Sequence, residues 1–184
     1  MMYRPLLFGI LLFGLAAAGP GPVGAQTLKR FSTTRQFHSE VRLVAAIEFG
    51  GGTLNVGAGA PTTLYAMQLD YDAERFRPVN EWNAGANTVT LGLTNLKNGS
   101  IGVGSTSQNQ IASIQLSPQA DLDLSLTIGA AKSLVDLGGL RLSSLTVETG
   151  ASQTEVRFSK RNAMRCTTAA FRAGVAELTV LGLG

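Results

Sequence analysis

The chain has one cysteine, one histidine and one tryptophan among its 184 residues. The single cysteine, Cys166, cannot form an internal disulfide, and free cysteine behaves as a small hydrophobe, so we expect it to be buried. Pairing with a second chain is the alternative. The single histidine, His38, excludes the histidine clusters of most zinc sites and a Ser-His-Asp triad. We expect His38 to lie at the surface.

Charged residues are also scarce. They make up 15% of the chain, against 45% hydrophobic residues, and the formal net charge is +3. Such a small excess of positive charge does not predict nucleic acid or an acidic surface as the partner. The low charge and the hydrophobic content argue against disorder over most of the chain.

Only one long apolar run is present, and it lies at the start. Arg4 supplies a positive charge, residues 6–18 are an apolar stretch of 13, and Ala25 is a small residue that suits a cleavage site. This order predicts a secretory signal peptide over residues 1–25. An uncleaved anchor is the alternative, but a bilayer-spanning helix needs about 20 residues. No cysteine follows the run to carry a lipid, so we predict an exported protein, periplasmic or extracellular, with no stable membrane span.

Helical patterns are absent as well. No segment combines ten or more residues of helical periodicity with caps, whereas short alternating segments recur. We therefore predict an all-β protein with a flexible arm at 26–36, a β-rich N-terminal unit at 37–117, and stacked rungs of a single-stranded β-solenoid at 118–184. The polar segment 105–109 is the candidate boundary, and Asn98 with Gly99 fits a tight hairpin turn. Residues 160–165 form a long loop that could hold one helical turn.

A strand–glycine–strand unit recurs in the second half of the chain. Alternating runs flank small-residue turns at Gly129, Gly150 and Gly174, which are 21 and 24 residues apart, and a looser copy surrounds Gly51. This period is typical of stacked repeats, and glycine allows the bend without steric cost. The alternation predicts these inward residues: Leu122, Leu124, Leu126 and Ile128; Leu134 with Val135 or Leu137; Leu145, Val147, Val156 and Phe158; Ala170, Val175, Leu178 and Val180.

The last predicted rung is followed at once by the residues LGLG, which do not form a polar cap. Solenoids generally need capped ends for solubility. We therefore expect the native chain to continue past Gly184, and we expect the edge of this rung to promote self-association.

Two features of the N-terminal unit are candidates for interaction. Asp70, Asp72 and Glu74 have an alternate spacing that Ca²⁺ can use, although no loop glycine or fourth ligand accompanies them. A solvated strand end is the favoured interpretation. Trp82 could stack on a sugar or a partner, or close the end of a β core. We therefore name Trp82, Asp70, Asp72 and Glu74 as possible interaction residues.

The predicted rungs contain aspartates whose positions can be compared with those of the paired catalytic carboxylates of a hydrolase. Asp121 and Asp123 share one strand face, as a pair of catalytic carboxylates would, and Asp136 is a third candidate. Acids on the polar face of a strand more often only contact solvent and oppose aggregation. We predict no catalytic residue, no cofactor and no metal site.

The pattern DL-GL-L-SL-V-TGAS-T-V-F within residues 134–158, together with SEVRLVAAIEFGGGTLNVGAG and FRAGVAELTVLGLG, resembles the bacterial toast-rack family. The resemblance covers residues 37–184. It implies an adhesin-like β-solenoid envelope protein, exported or membrane-tethered, related to the cell-wall-active-antibiotic-response domains. Some relatives act in envelope-stress signalling, and members continue through further rungs. No catalytic residues are carried over.

From these observations we expect a non-enzymatic, exported structural or interaction module of the bacterial cell envelope, adhesin-like in character. Its partner would be an envelope protein or a glycan surface, and not nucleic acid. One alternative is a ligand-binding sensor domain of an envelope-stress response, with its site near Trp82 and residues 70–74. A second alternative is an exported carbohydrate-active enzyme on a β-helix that uses Asp121, Asp123 or Asp136.

Overall fold

The computed structural model describes residues 28–96 and 109–182, and these two ranges contain strands and no helix. Within them, no helix is long and apolar enough to span a bilayer. The all-β prediction is confirmed. The strands are β1 (Leu28–Gln36), β2 (Arg42–Ala58), β3 (Thr63–Asp72), β4 (Phe76–Asn83), β5 (Thr88–Asn95), β6 (Ile111–Leu116), β7 (Asp121–Asp136), β8 (Arg141–Thr149), β9 (Gln153–Arg157), β10 (Thr168–Ala173) and β11 (Glu177–Leu181).

Three predictions cannot be compared with this structure. The signal peptide at 1–25, the hairpin turn at Asn98 and Gly99, and residues 105–108 of the boundary segment lie outside the described residues.

Alternation of apolar and polar residues explains why these segments form strands. In β7 the predicted inward residues, from Leu122 to Ile128, are at most 2% exposed. The residues between them, such as Asp123 and Ser125, remain partly or fully exposed. Successive side chains of a strand point to opposite faces, so one face of β7 packs in the core and the other contacts solvent.

The strands form one unclosed sheet with two arms that share β2 and β7. These two strands run parallel, from Arg42 opposite Asp121 to Val56 opposite Val135. Arm one has the order β4-β5-β2-β7-β8-β10, and arm two has the order β1-β3-β6-β2-β7-β9-β11. Strand β2, from the predicted N-terminal unit, therefore pairs with β7, from the predicted rungs. The division between residues 117 and 118 stays a prediction.

The two arms meet at a corner, where the parity of the buried residues changes. In β7 the buried residues are even-numbered up to Ile128 and odd-numbered from Ala131 onwards. Both arms therefore turn their buried faces toward one core. Gly129 is required here, because a Cβ would lie 2.4 Å from the carbonyl oxygen of Gly50. In the corner of β2, Gly52 has a φ of +107°, which favours glycine over other residues.

The four glycines predicted as turns lie along this corner. A Cβ on Gly150 would lie 3.5 Å from the carbonyl oxygen of Gly129, and one on Gly174 would lie 3.3 Å from that of Gly150. A Cβ on Gly51 would lie 3.4 Å from the carbonyl oxygen of Ala130. Of the four, Gly129 has the approach that excludes a side chain. The chain bends here and does not reverse, since β2 and β7 continue through the corner.

Inward residues of successive rungs stack in columns. Arm one has the column Ile47, Leu126, Val147 and Phe171, and arm two has the column Val56, Val135, Val156 and Val180. In each column the first three members are buried and the member from β10 or β11 is partly buried. A single rung cannot bury its own apolar face, so the stacking makes the core continuous.

The prediction of a flexible arm is wrong for residues 28–36. These residues form β1, which pairs antiparallel with β3 from Leu28 opposite Asp72 to Gln36 opposite Thr63. The basic residues suggested a solvated arm, but Phe31, Thr33 and Arg35 alternate with exposed residues and turn inward. The alternation of β1 is therefore that of an edge strand. Residues 26 and 27 lie before the described range.

Three inward assignments are also corrected. Val175 is 92% exposed, because it follows the corner glycine Gly174, and the residue after that glycine points outward in the other rungs as well, at Ala130 and Ala151. Leu134 is only partly buried on the outer face, whereas Val135 and Leu137 are fully buried. The change of parity at the corner accounts for the difference at Leu134.

The third correction concerns Ala170, which lies on the outer face opposite Thr146. Its neighbours in the strand, Ala169 and Phe171, are the ones that pair with the buried residues Leu145 and Val147. The inward residues of β10 are therefore the odd-numbered ones, as in the rung before it.

The connection from β9 to β10 differs from prediction in one further respect. Cys166 was expected to be buried, and it is exposed. Its Sγ donates to the carbonyl oxygen of Thr168 at 3.1 Å. Residues 160–165 contain bends and no helical turn. His38 is exposed, as expected, in the connection between β1 and β2.

Candidate interaction surfaces

The three acids at the end of β3 do not form a common site. Asp70 accepts two hydrogen bonds from Arg30, at 2.7 and 3.0 Å, and the hydrogen bond from Arg30 lowers the pKa of Asp70. Asp72 is buried and accepts the backbone N–H of Glu74 at 3.0 Å, which fixes the turn into β4. Nowhere in residues 28–96 and 109–182 do three or more His, Cys, Asp or Glu residues form a group that could hold a metal ion.

The acids of the rungs are each bound to an arginine. Asp121 accepts from Arg141 at 2.8 Å, and Asp123 accepts from both Arg42 and Ser144. Their side chains lie on the outer face of arm one. A general acid in glycoside hydrolysis must be free to reach the substrate. Carboxylates held by arginine do not meet that requirement.

Asp136, in arm two, accepts more hydrogen bonds than Asp121 or Asp123. It accepts from the backbone N–H of Gly138 at 3.0 Å, from Arg157 at 3.1 Å and from the backbone N–H of Ser159 at 3.3 Å. Partial burial raises the pKa of this carboxyl, but the hydrogen bonds from Gly138, Ser159 and Arg157 outweigh burial and lower it overall. Asp136 therefore supports the turn between β7 and β8 and remains ionised.

Trp82 lies at the end of the core formed by the edge strands β1 and β4. Its ring centroid is 5.9 Å from that of Tyr65, and the guanidinium carbon of Arg35 lies 4.2 Å from its ring centroid. The Tyr65 hydroxyl donates to Asn80 at 3.2 Å, and Asn80 donates to Thr33 at 3.0 Å. Burial raises the pKa of Tyr65, partly opposed by the charge of Arg35. Aromatic and polar side chains thus close this end of the core.

The outer face of arm two carries a feature that the sequence analysis missed. Residues from seven neighbouring strands are Cα partners in one continuous row, which runs Ser32, Gln68, Ser113, Asn55, Leu134, Glu155 and Thr179. The first four members, Ser32, Gln68, Ser113 and Asn55, are exposed, and we call them the amide–hydroxyl row. The sequence gives little indication of this row, because its four residues come from distant segments and only the pairing of the strands brings them together.

Two neighbouring rows complete this face. They run Arg30, Asp70, Ile111, Thr53, Lys132, Gln153 and Glu177, and Thr34, Ala66, Gln115, Gly57, Asp136, Arg157 and Leu181. On β1, β3, β6 and β2 the only charged members of the three rows are Arg30 and Asp70, which form a salt bridge. Two grooves lie on this face, one of about 180 Å³ beside Gln68 and one of about 460 Å³ beside Asn55.

The family model described as the N-terminal domain of toast_rack, DUF2154, matches residues 25–181. The chain belongs to the toast-rack N-terminal domain family. The resemblance given by the sequence is therefore confirmed. A search of curated proteins found no significant match.

One solved structure shows the same fold as this toast-rack domain. A "putative cell adhesion protein" from Clostridium sporogenes is 13% identical and superposes with a TM-score of 0.63, covering 84% of this chain and 99% of that chain. A "putative adhesin" from Bacteroides fragilis is 9% identical with a TM-score of 0.28, covering 83% of this chain and 96% of that chain. The first likeness confirms the β-solenoid fold, and the second is too distant to support an argument.

The corner of the toast-rack domain forms a further groove. It has a volume of about 510 Å³ and runs along Gly129, Gly150 and Gly174, between Thr127 and the salt bridge of Glu148 with Arg172. The groove exists because the glycines have no side chains to fill it. It is wide open, and its two charged side chains are paired with each other in that salt bridge, whereas the buried Oγ1 of Thr149 in its lining has no hydrogen-bond partner among the described residues.

Proposed function

We propose that this chain is a non-enzymatic, exported, adhesin-like module of the bacterial cell envelope, and that the outer face of arm two binds a hydroxyl-rich glycan. The observation that carries the proposal is the amide–hydroxyl row. Its four exposed side chains lie in register across four strands, on a part of the sheet whose only charged residues in the three rows are paired with each other.

The chemistry of the row suits a polymer rich in hydroxyl groups. Asn and Gln amides each supply two donors and an acceptor, and hydroxyls supply one donor and two acceptor lone pairs. The side chains of Ser32, Gln68, Ser113 and Asn55 make no hydrogen bond to another part of the described chain. They are therefore available to a ligand.

The dimensions of the face suit an extended ligand. Neighbouring strands lie about 4.8 Å apart, so the amide–hydroxyl row of four strands is about 14 Å long. The full row of seven strands is about 29 Å long, and its part on β7, β9 and β11 lies beside Lys132, Glu155 and Glu177. The grooves beside Gln68 and beside Asn55 lie along this direction. A polysaccharide chain could therefore lie across the strands and contact both grooves.

The comparisons support an adhesive role, since the family is toast-rack and a neighbour of the same fold is named for cell adhesion. The enzymatic alternative lacks support from the acids, because Asp121, Asp123 and Asp136 are bound by arginines. The sensor alternative lacks support at residues 70–74, where the acids are held in a salt bridge and a turn. Export rests on the signal peptide predicted at residues 1–25.

The test is sedimentation of the purified chain with insoluble bacterial peptidoglycan. We expect saturable binding that falls about tenfold in the double variant Gln68→Ala with Asn55→Ala, because each lost hydrogen bond contributes about 0.5–1.5 kcal/mol. The matched control is Ser125→Ala with Thr146→Ala. These are paired residues on the outer face of arm one, and their replacement should leave binding unchanged.

Equal binding by both double variants would overturn the assignment of this face. Binding that disappears when the peptidoglycan is treated with protease would identify an attached protein as the partner and would overturn the glycan proposal.

A further inference from the structure

The strands at the ends of the sheet differ in how well they could accept an added strand. Strand β1 has nine residues without proline or glycine, and β3 is its only strand partner within the described ranges. Strand β4, the corresponding edge of arm one, contains Pro78, and proline lacks the N–H that a further strand would need. At the opposite end β10 and β11 have six and five residues. Strand β1 is therefore the longest and least protected edge.

The charge of β1 has one sign. Lys29, Arg30 and Arg35 are its charged residues, and it has no acid. Arg30 is paired with Asp70, Arg35 stacks on Trp82, and Lys29 makes no ion pair with any described residue. A partner segment that lies along this edge would therefore find positive charge and no competing acid on the strand itself.

This charge also disfavours a second copy of the chain as the occupant. Antiparallel pairing of β1 with itself about Ser32 would place Lys29 opposite Arg35, and no register brings an acid opposite a basic residue. Like charges directly opposite each other destabilise a strand pair. A different, acidic chain is the complementary occupant.

We infer that the free edge of β1 binds an extended, acidic segment of a partner protein by strand addition. The backbone of β1 supplies the pairing, and the exposed side chain of Lys29 selects for negative charge. This edge adjoins the amide–hydroxyl row, which begins at Ser32 on β1. Strand addition uses the backbone of β1, whereas the row uses side chains on the face of the sheet, so neither proposal depends on the other.

The test uses the full chain and a synthetic peptide of the length of β1, capped at both ends, with alternating threonine and glutamate. A peptide with lysine in place of glutamate is the control ligand. Trp82 is the only tryptophan and lies beside Arg35, so its fluorescence reports on this end of the molecule. We expect a saturable change with the acidic peptide and none with the basic one, and slower hydrogen exchange at the amides of β1.

The matched variants are Lys29→Glu and Lys132→Glu, which make the same change of charge at the edge and on β7. The first should weaken binding of the acidic peptide by about five- to tenfold, because a favourable cross-strand charge pair becomes a repulsive one. The second should leave it unchanged. Equal weakening by both variants would mean non-specific attraction and would overturn the proposal. Binding of the acidic peptide without slower hydrogen exchange at the amides of β1 would also overturn the proposal. A dimer in light scattering that Ser32→Pro converts to a monomer would overturn it as well, because a second copy of the chain would then occupy the edge.

Discussion

Cys166 shows how a residue-scale expectation depends on position in the fold. Cysteine behaves as a small hydrophobe, which predicted burial, but the residue lies in the ten-residue connection from β9 to β10 and is exposed. We expect a maleimide reagent to label it fully in the native protein, at the rate of a free exposed thiol. Mass spectrometry of the labelled chain measures this directly. Labelling only after addition of denaturant would contradict the exposed position.

Asp136 is the acid whose removal should matter most for stability. Its carboxylate satisfies Gly138, Ser159 and Arg157, so Asp136→Ala should lower the free energy of unfolding by about 1–2 kcal/mol. Asp121→Ala, which removes the surface ion pair with Arg141, should cost less than about 1 kcal/mol. Chemical denaturation at neutral pH measures both. Equal losses would show that the turn does not depend on Asp136.

The lowered pKa of Asp136 also fixes the direction of a pH effect. A carboxyl whose pKa is lower in the folded state than its usual value of 3.8 stabilises the fold above that value, and this stabilisation is lost as pH falls through the folded pKa. The free energy of unfolding of the native chain should therefore fall more steeply below about pH 4 than that of Asp136→Ala. Parallel pH profiles for the two proteins would contradict this.

At the scale of elements, the glycines of the corner allow β2 and β7 each to bend and to continue from arm one into arm two. Gly129→Ala places a Cβ against the backbone of Gly50 and should lower stability by about 1–3 kcal/mol. Gly150→Ala meets its nearest atom at 3.5 Å and should change stability by less than about 0.5 kcal/mol. Thermal unfolding of the two variants distinguishes them. If Gly129→Ala left the stability unchanged, the backbones of Gly129 and Gly50 would be able to move apart at the corner.

The elements were largely predictable because alternation is a local signal. The stripe from Leu122 to Ile128 and the glycine positions could be read directly from the sequence. The change of parity at the corner could not, since it depends on where the chain bends, and so the predictions for Val175 and Leu134 are wrong. The prediction for Ala170 is wrong because the register of β10 against β8 is not visible in the sequence. Strand β1 was missed because its basic residues resemble a solvated arm until β3 is known to lie beside it.

At the scale of the whole molecule, the surface proposed for binding exists only through register. Gln68 and Asn55 are unremarkable polar residues in their own strands, and β6, from a later part of the chain, lies between them. The sequence drew attention instead to Trp82 and to the acids at 70–74, which the structure uses for packing, a salt bridge and a turn. Family membership and fold class could be recognised from sequence, whereas the candidate face required the sheet order.

The most direct measurement is an NMR titration of the side-chain amide signals with soluble peptidoglycan fragments. A protein of 19.2 kDa is suitable for it, and each Asn and Gln amide reports on its own position. We predict that the signals of Asn55 and Gln68 shift and saturate together. Those of Asn83, the last residue of β4, and of Asn162, which is hydrogen-bonded to Leu142, should stay in place. Shifts confined to Asn83, Asn162 or the indole of Trp82, with Asn55 and Gln68 unchanged, would contradict the account.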